Sequence, residues 1–287
     1  VQHAQLELAR AVKSGRDRLD SILVQRGLAS SRNRAQAVIR AGEVTVNGHR
    51  FDKPGMTVPL DSVIEVREPP PYVGRGGLKL EAALAAFEID PRDRSCLDVG
   101  ASTGGFTDCL LQRGARQVFA VDVGRAQLAW PLRQDARVIN MERTDIRRVS
   151  SLPLPIELAV IDVAFISLRL VLPSVAPLLG EGADLIALVK PQFEAGRDRV
   201  GRGGIVRDPE VHREVLQEVL AWSRQQGWRA RGLMDSPIQG SAGNREFLLW
   251  LDRESNPSLG AESASQELGL DWLGELGLTP QDLAPQD

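Results

Sequence analysis

Four ionisable residues stand against apolar runs in this chain of 287 residues. Asp162 directly follows "LAVI", Lys190 directly follows "LIALV", Glu246 immediately precedes "FLLWL", and Lys79 lies in "LKLEAAL". Lysine and glutamate are almost never fully buried without a partner, so charges abutting core strands are expected to pair. One reading is a structural ion-pair network. The other is a site, in which a lysine at the ligand-binding edge of a sheet steadies a developing anion or, if its pKa is depressed, takes a proton. Four such residues at analogous places favour the site.

A second feature lies upstream, in "LDVGASTGGFTD" (97–108). Asp98 ends an apolar run, and Gly100, Ser102, Thr103, Gly104, Gly105 and Phe106 make a turn through which backbone can approach a ligand. The dinucleotide fingerprint G-x-G-x-x-G is not present at this spacing, and no phosphate-binding lysine follows the turn. Asp122 ends the next apolar run, 24 residues after Asp98, where an acid accepts hydrogen bonds from ribose hydroxyls. Asp145, after a third strand, suits contact with an adenine amino group. These positions are best read as a site for S-adenosylmethionine, which carries no phosphate; the bland alternative is that Asp98 merely caps the following helix.

Arginines supply the third feature. Arg26, Arg32, Arg34 and Arg40 are concentrated in a short helical segment too small to hold a pocket. Arg197, Arg199 and Arg202 alternate with glycines in "EAGRDRVGRGG", and Arg75 sits beside Gly76 and Gly77. Arginines on a helix usually mean a solvated face, and a glycine-rich loop a mobile lid. Clustered beside a nucleotide-type site, both suit phosphate contacts with RNA.

The elements that must position these residues follow from the pattern. "RLDSILVQRGLASSRNRAQAVIRAGEVTVNGH" reads as two helices, the first with Leu19, Ile22, Leu23 and Arg26 on one face, the second capped by Ser30 or Ser31. An Asn-Gly hairpin follows, and "SVIEVRE" adds a strand. "PPPY" marks a linker. From Leu78 onward, helices alternate with apolar strands, which predicts an α/β domain with a mostly parallel sheet and helices on both faces. The expected boundaries are an extension over 1–15, a small α+β domain over 16–67, a linker over 68–77, the α/β domain over 78–252, and an acidic, mostly disordered tail over 253–287.

Charge supports that division. Residues 1–75 carry 12 Lys/Arg against 8 Asp/Glu, residues 76–251 carry 22 of each, and residues 252–287 carry one Arg against eight acids. The net charge of −3 therefore conceals a basic front end. Two cysteines and three scattered histidines offer no disulfide framework and no metal site, so Cys96 and Cys109 are expected to pack near the turn. No apolar run approaches the roughly 20 residues of a membrane helix, and the first residues lack the apolar core of a secretory signal. A cytoplasmic protein, expected to be monomeric, is the resulting reading.

The segment over 16–67 resembles the RNA-binding domain named after small-subunit ribosomal protein four. "YVGRGGLKLEAAL", "LDVGASTGGFTDCLL", "LAWPLRQD", "DVAFISL", "LVKPQFEAGRDRVGRGGIVRDP" and "GNREFLL" together resemble the TlyA (haemolysin A) family, a branch of the FtsJ-like ribose methyltransferases. The resemblance implies a Rossmann-like class I methyltransferase domain, S-adenosylmethionine as cofactor, and ribosomal RNA or ribosomal subunits as partner. It further implies a catalytic tetrad of Lys79, Asp162, Lys190 and Glu246, and methyl transfer to the ribose 2′-hydroxyl of cytidine. The chain departs from the family at Arg125 and Ala126, where Tyr-Gly is common, and at Gly74, Asp145 and Ala164. Base-amine methylation would require an Asn/Asp-Pro-Pro-aromatic motif where this chain has "DVAF"; carbon methylation would require a cysteine near the fourth strand. Competing readings are a pseudouridine synthase, a non-catalytic RNA-binding assembly factor, and a membrane-active haemolysin.

Overall fold

The structure, a computed structural model, describes residues 15–67 and 70–253. Two units are distinguished, Val1–Pro70 and Pro71–Asp287. The proposed extension, apart from Gly15, and the acidic tail, apart from Arg253, lie outside the described residues.

In the first unit, strand β1 (Arg16–Arg18) leads into helix α1 (Leu19–Gln25), and α2 (Arg32–Arg40) follows. Ser31 caps α2, its hydroxyl accepting from Arg34 N. Strands β2 (Val44–Val46) and β3 (His49–Phe51) pair across Asn47 and Gly48, whose φ values of 51° and 79° are those a tight two-residue hairpin requires. Strand β4 (Thr57–Pro59) pairs with β1, and β5 (Ile64–Val66) with β2. Leu19, Ile22 and Leu23 bury against Ala35, Val38, Ile39 and Val44. The β1–β4 pair has no signal in the sequence, because "RDR" offers no apolar alternation.

The second unit opens with α3 (Gly76–Ala86) and continues β6 (Ser95–Val99), α4 (Gly105–Gln112), β7 (Gln117–Asp122), α5 (Trp130–Gln134), β8 (Val138–Glu142) and β9 (Ile156–Ile161). Then come α6 (Leu168–Val175), β10 (Leu179–Val189), α7 (Pro191–Glu194), α8 (Pro209–Gln225), β11 (Trp228–Asp235) and β12 (Phe247–Arg253). The seven strands lie in the order β11-β12-β10-β9-β6-β7-β8. Strands β10, β9, β6, β7 and β8 are mutually parallel, while β12 runs antiparallel between β10 and β11. Strand order therefore reverses between β6 and β9, the crevice where open α/β sheets bind ligands. Residues 71–77, assigned above to the linker, fold within this unit. Tyr72 is buried, Val73 N donates to Asp108 Oδ2 at 2.8 Å, and Gln112 Nε2 donates to the Pro71 carbonyl.

Side chains alternate between the faces of the sheet. Cys96, Val118, Leu158, Val160, Ile186, Leu188 and Leu248 pack under α3 and α4; Leu97, Phe119, Ala159, Ile161, Ala187, Val189 and Phe247 pack under α6 and α8. The parity of each strand thus fixes the face on which its terminal residue emerges. Cys96 and Cys109 are buried and free, and burial pushes their thiols up to about 12 and about 11. Both are inert packing residues, as expected. Among the described residues no helix is long and apolar enough to cross a membrane.

Candidate active site

Asp98, Asp162, Lys190 and Glu246 share the parity of Cys96, Val160, Leu188 and Leu248, so all four emerge on the face covered by α3, which carries Lys79. Strands β10 and β12 are in register at Val189 and Phe247, which places Lys190 and Glu246 at the next pair of positions. The tetrad resolves into two ion pairs. Lys190 Nζ lies 2.5 Å from Asp162 Oδ1, and Lys79 Nζ lies 2.5 Å from Glu246 Oε2. The second pair is the more enclosed, with side-chain exposures of 9% and 3% against 12% and 23% for Lys190 and Asp162. One helical turn before Lys79, a Cβ at Gly76 would stand 3.8 Å from Asp162 Oδ2. Both pairs therefore sit around the first turn of α3, at the carboxyl end of the parallel strands.

The glycine turn occupies the adjoining strand end. Gly100 has φ +87°, and a Cβ there would meet the Asp162 carbonyl oxygen at 2.3 Å, so only glycine lets β6 turn under the β9 end. Gly105 is pinned similarly, since its Cβ would lie 2.9 Å from Gly77 N. Ser102 N donates to Asp122 Oδ2 at 2.8 Å and Gly124 N to Asp122 Oδ1 at 2.6 Å. Each carboxylate oxygen accepts more than one hydrogen bond, so Asp122 retains capacity for ribose hydroxyls. Ser102 and Thr103 are exposed on the outer rim of the turn.

Three of the expected cofactor residues have contacts within the protein. Phe106 is a core residue, 3% exposed, beneath Gly76, and so supports the turn from below. Asp145 caps the Ile146–Arg148 turn, and its carboxylate is held by the Arg147 guanidinium at 2.7 Å. Asp98 is fully buried under the turn; its Oδ2 accepts from Thr107 Oγ1 at 2.6 Å and its Oδ1 has no hydrogen-bond partner.

Burial, reinforced by the nearby Asp162 and Asp122 charges, pushes the Asp98 carboxyl up to about 7. A cationic ligand above the turn would draw it toward the ionised form. A backbone cradle, a carboxylate able to take hydroxyls and an unpaired buried acid suit S-adenosylmethionine, which is cationic at sulfur and nitrogen. In the ligand-free protein, the folded state keeps its proton at a pH where the unfolded chain has lost it. Stability from this group is therefore present below about pH 4 and falls as pH rises through 7. Denaturant midpoints of wild type should drop between pH 5 and 8, and Asp98→Asn should flatten that drop; an unchanged slope would contradict the assignment.

The arginines divide. Arg26 donates to the carbonyls of Ser62 and Leu60, fastening α1 to the β4–β5 turn instead of joining the apolar face of its helix. Arg32 donates to the fully buried Asp20, which Arg18 and Gln36 also hold. These hydrogen bonds keep the Asp20 carboxyl well below the usual range. Arg199 donates to the Ala195 carbonyl and pairs with Glu214 and Glu218 of α8, so it is a staple and not a free phosphate contact. Arg40 makes one long bond to Gln36, while Arg34, Arg75, Arg197 and Arg202 are exposed.

The sequence reading missed three residues that shape the site. Glu142, ending β8, accepts from the backbone of Ala126, Gln127 and Leu128 and pairs with Arg133, holding the loop beyond Asp122. Ala126 has φ +55°, the left-handed region in which only glycine escapes a steric cost. Phe165, three residues after Asp162, has φ +65°, is 91% exposed and has its ring centroid 5.2 Å from that of Phe193. Glu194 accepts from Ser167 Oγ and Leu168 N, tying the segment after Lys190 to the loop after Asp162.

Residues 72–253 match the FtsJ-like methyltransferase family and residues 17–64 the S4 domain. The YqxC protein of Bacillus subtilis is 51% identical over 260 residues, covering 89% of this chain and 92% of that protein. The 16S/23S rRNA (cytidine-2′-O)-methyltransferase TlyA of Mycobacterium tuberculosis is 43% identical over 251 residues, covering 86% of this chain and 94% of the relative. A solved structure of a Streptococcus thermophilus protein described as a hemolysin, 45% identical, superposes with a TM-score of 0.65 over 85% of this chain and 90% of its own. A mostly parallel α/β sheet, a glycine-rich turn at its switch point and an S4 domain occur together here, and the chain belongs to the FtsJ-like methyltransferase family.

Proposed function

We propose that this protein transfers a methyl group from S-adenosylmethionine to the ribose 2′-hydroxyl of a cytidine in ribosomal RNA, in the cytoplasm, on ribosomal subunits. The observation that carries the reading is the pair of lysine–carboxylate contacts, Lys190–Asp162 and Lys79–Glu246, on one face of the sheet beside the glycine turn. Relatives named as rRNA (cytidine-2′-O)-methyltransferases support the substrate. In this reading the cofactor is held by the turn over 100–105 and by Asp122, and supplies an activated methyl carbon bonded to positive sulfur.

The chain's own residues do the rest. A ribose hydroxyl is a weak acid, and its oxygen gains negative charge as it begins to bond to carbon. Lys190 Nζ, held by Asp162 Oδ1, faces that charge with its remaining N–H donors, or takes the hydroxyl proton when it is itself neutral. Lys79 adds a second cation, and Glu246 fixes its position. Holding the hydroxyl in line with the methyl carbon supplies much of the acceleration. Exposed Arg34 and Arg40 on the S4 domain and Arg75, Arg197 and Arg202 on the methyltransferase domain contact RNA phosphates, and Phe165 offers a ring on which an unstacked base rests.

The test is transfer of labelled methyl to unmodified ribosomal subunits, with the product mapped by nuclease digestion. Label on a cytidine ribose is the expected result. Cofactor binding with no label on either subunit would overturn the substrate, and label on a base would overturn the chemistry.

A further inference from the structure

The glycine-arginine loop after Lys190, whose composition suits phosphate contacts, is anchored near Arg202 by one buried side chain. Gly201 and Ile205 form a β-bridge, closing a tight turn with Arg202 exposed near its tip. Asn244 is 2% exposed and uses both ends of its amide on this turn. Its Oδ1 accepts from Val206 N at 3.0 Å, and its Nδ2 donates to the Gly204 carbonyl at 2.9 Å. His212 Nε2 contacts the Val206 carbonyl at 3.1 Å, completing the anchorage.

The same asparagine belongs to the backbone that encloses Glu246. Its carbonyl accepts from Gly240 N at 2.9 Å, and a Cβ on Gly240 would lie 2.4 Å from Glu246 Oε1. Glu246, two residues on, holds Lys79. The turn also borders the same cavity as Phe165 and Phe193, through Gly201 and Gly204. A side chain with two fixed bonds to the turn and a backbone bond to the Glu246 enclosure links an RNA-facing arginine to an ion pair of the tetrad.

We propose that Asn244 is a positioning residue that sets the Arg202 turn in register with the Lys79–Glu246 pair, so that a phosphate held by Arg202 fixes where the acceptor ribose falls. The proposal rests on the ribose-methylation reading above. Arg202 makes the contact; Asn244 acts through it.

The experiment compares Asn244→Ala, Arg202→Ala and the double variant, reading KM for unmodified ribosomal subunits at two salt concentrations alongside cofactor affinity by calorimetry. Arg202→Ala should raise KM roughly fivefold to tenfold and reduce the salt slope by about 1, the loss of one phosphate contact. Asn244→Ala should do the same, with the loss in KM exceeding that in kcat, and the double variant should be no worse than the poorer single one. Asn244→Asp keeps the acceptor for Val206 N and loses the donor to Gly204, so its effect should be intermediate. If Asn244→Ala does not fold, Asn244→Asp carries the test, with faster hydrogen exchange expected only at Gly201 and Gly204, the amides that close the turn. An unchanged salt slope in the Asn244 variants, or losses that add to that of Arg202→Ala, would overturn the coupling. Absence of ribose label with the wild-type protein would instead overturn the underlying reaction.

Discussion

Replacing Lys190 with alanine should lower kcat by about 10³-fold or more, in the range attributed to a group that handles the proton or the charge in the transition state. The affinity for S-adenosylmethionine should stay within about twofold, because ligand binding is assigned to the turn and to Asp122, not to Lys190. The geometry supports this division. Lys190 Nζ is held by Asp162 at 2.5 Å, one residue beyond β10, whereas the turn follows β6 and Asp122 ends β7. Lys190→Arg sharpens the result, since a guanidinium keeps its charge but cannot accept a proton. Recovery of a substantial fraction of the rate with arginine would assign Lys190 to charge stabilisation; loss equal to that of alanine would assign it to proton transfer or to a geometry that only an ammonium satisfies. Calorimetry and labelled transfer are the measurements, and equal losses in binding and turnover would refute the division.

Legibility of this site in the sequence followed strand parity. Asp162 and Lys190 directly follow uninterrupted apolar runs, so their position at strand ends could be read without any contact information, and period-2 alternation then fixed their face. Glu246 was legible for the mirrored reason, preceding an apolar run. What the sequence did not encode locally was the pairing: Lys79 and Glu246 are 167 residues apart, and only the β10–β12 register and the start of α3 bring them together. The strand β11 escaped notice because "WRARGLMD" mixes arginines with a glycine at a bulge, the dress of an edge strand rather than of a core one.

Charge was the least transferable signal. Arg26 and Arg199 have the same composition-level appearance as Arg34 and Arg202, but the first two are spent on backbone carbonyls and α8 glutamates. No spacing rule distinguishes a guanidinium that finds internal acceptors from one that faces solvent, because the acceptors arrive from distant segments. Asp145 differs in that its partner, Arg147, lies only two residues on. Glu142, by contrast, had a usable signal: an acid at the third strand end, where a loop of backbone N–H groups must find an acceptor.

The enclosed pair offers the second large effect. Glu246→Ala should destabilise the protein by about 3–5 kcal/mol, because it leaves the Lys79 ammonium uncompensated in a buried setting. Against a total stability of about 5–15 kcal/mol, that loss is large enough to unfold a marginal domain. Replacing both partners with apolar side chains, Lys79→Met with Glu246→Leu, removes both charges together and should restore most of the lost stability, as buried ion pairs commonly tolerate. It should not restore methyl transfer. Urea unfolding followed by labelled transfer on the refolded double variant separates the two roles. A stable double variant that retains wild-type turnover would make Lys79–Glu246 a purely structural pair and leave Lys190 and Asp162 to act alone. A stable but inactive one would place the second ammonium in the chemistry, since a pair kept only for the fold would be dispensable once the packing around α3 and β12 had been refilled.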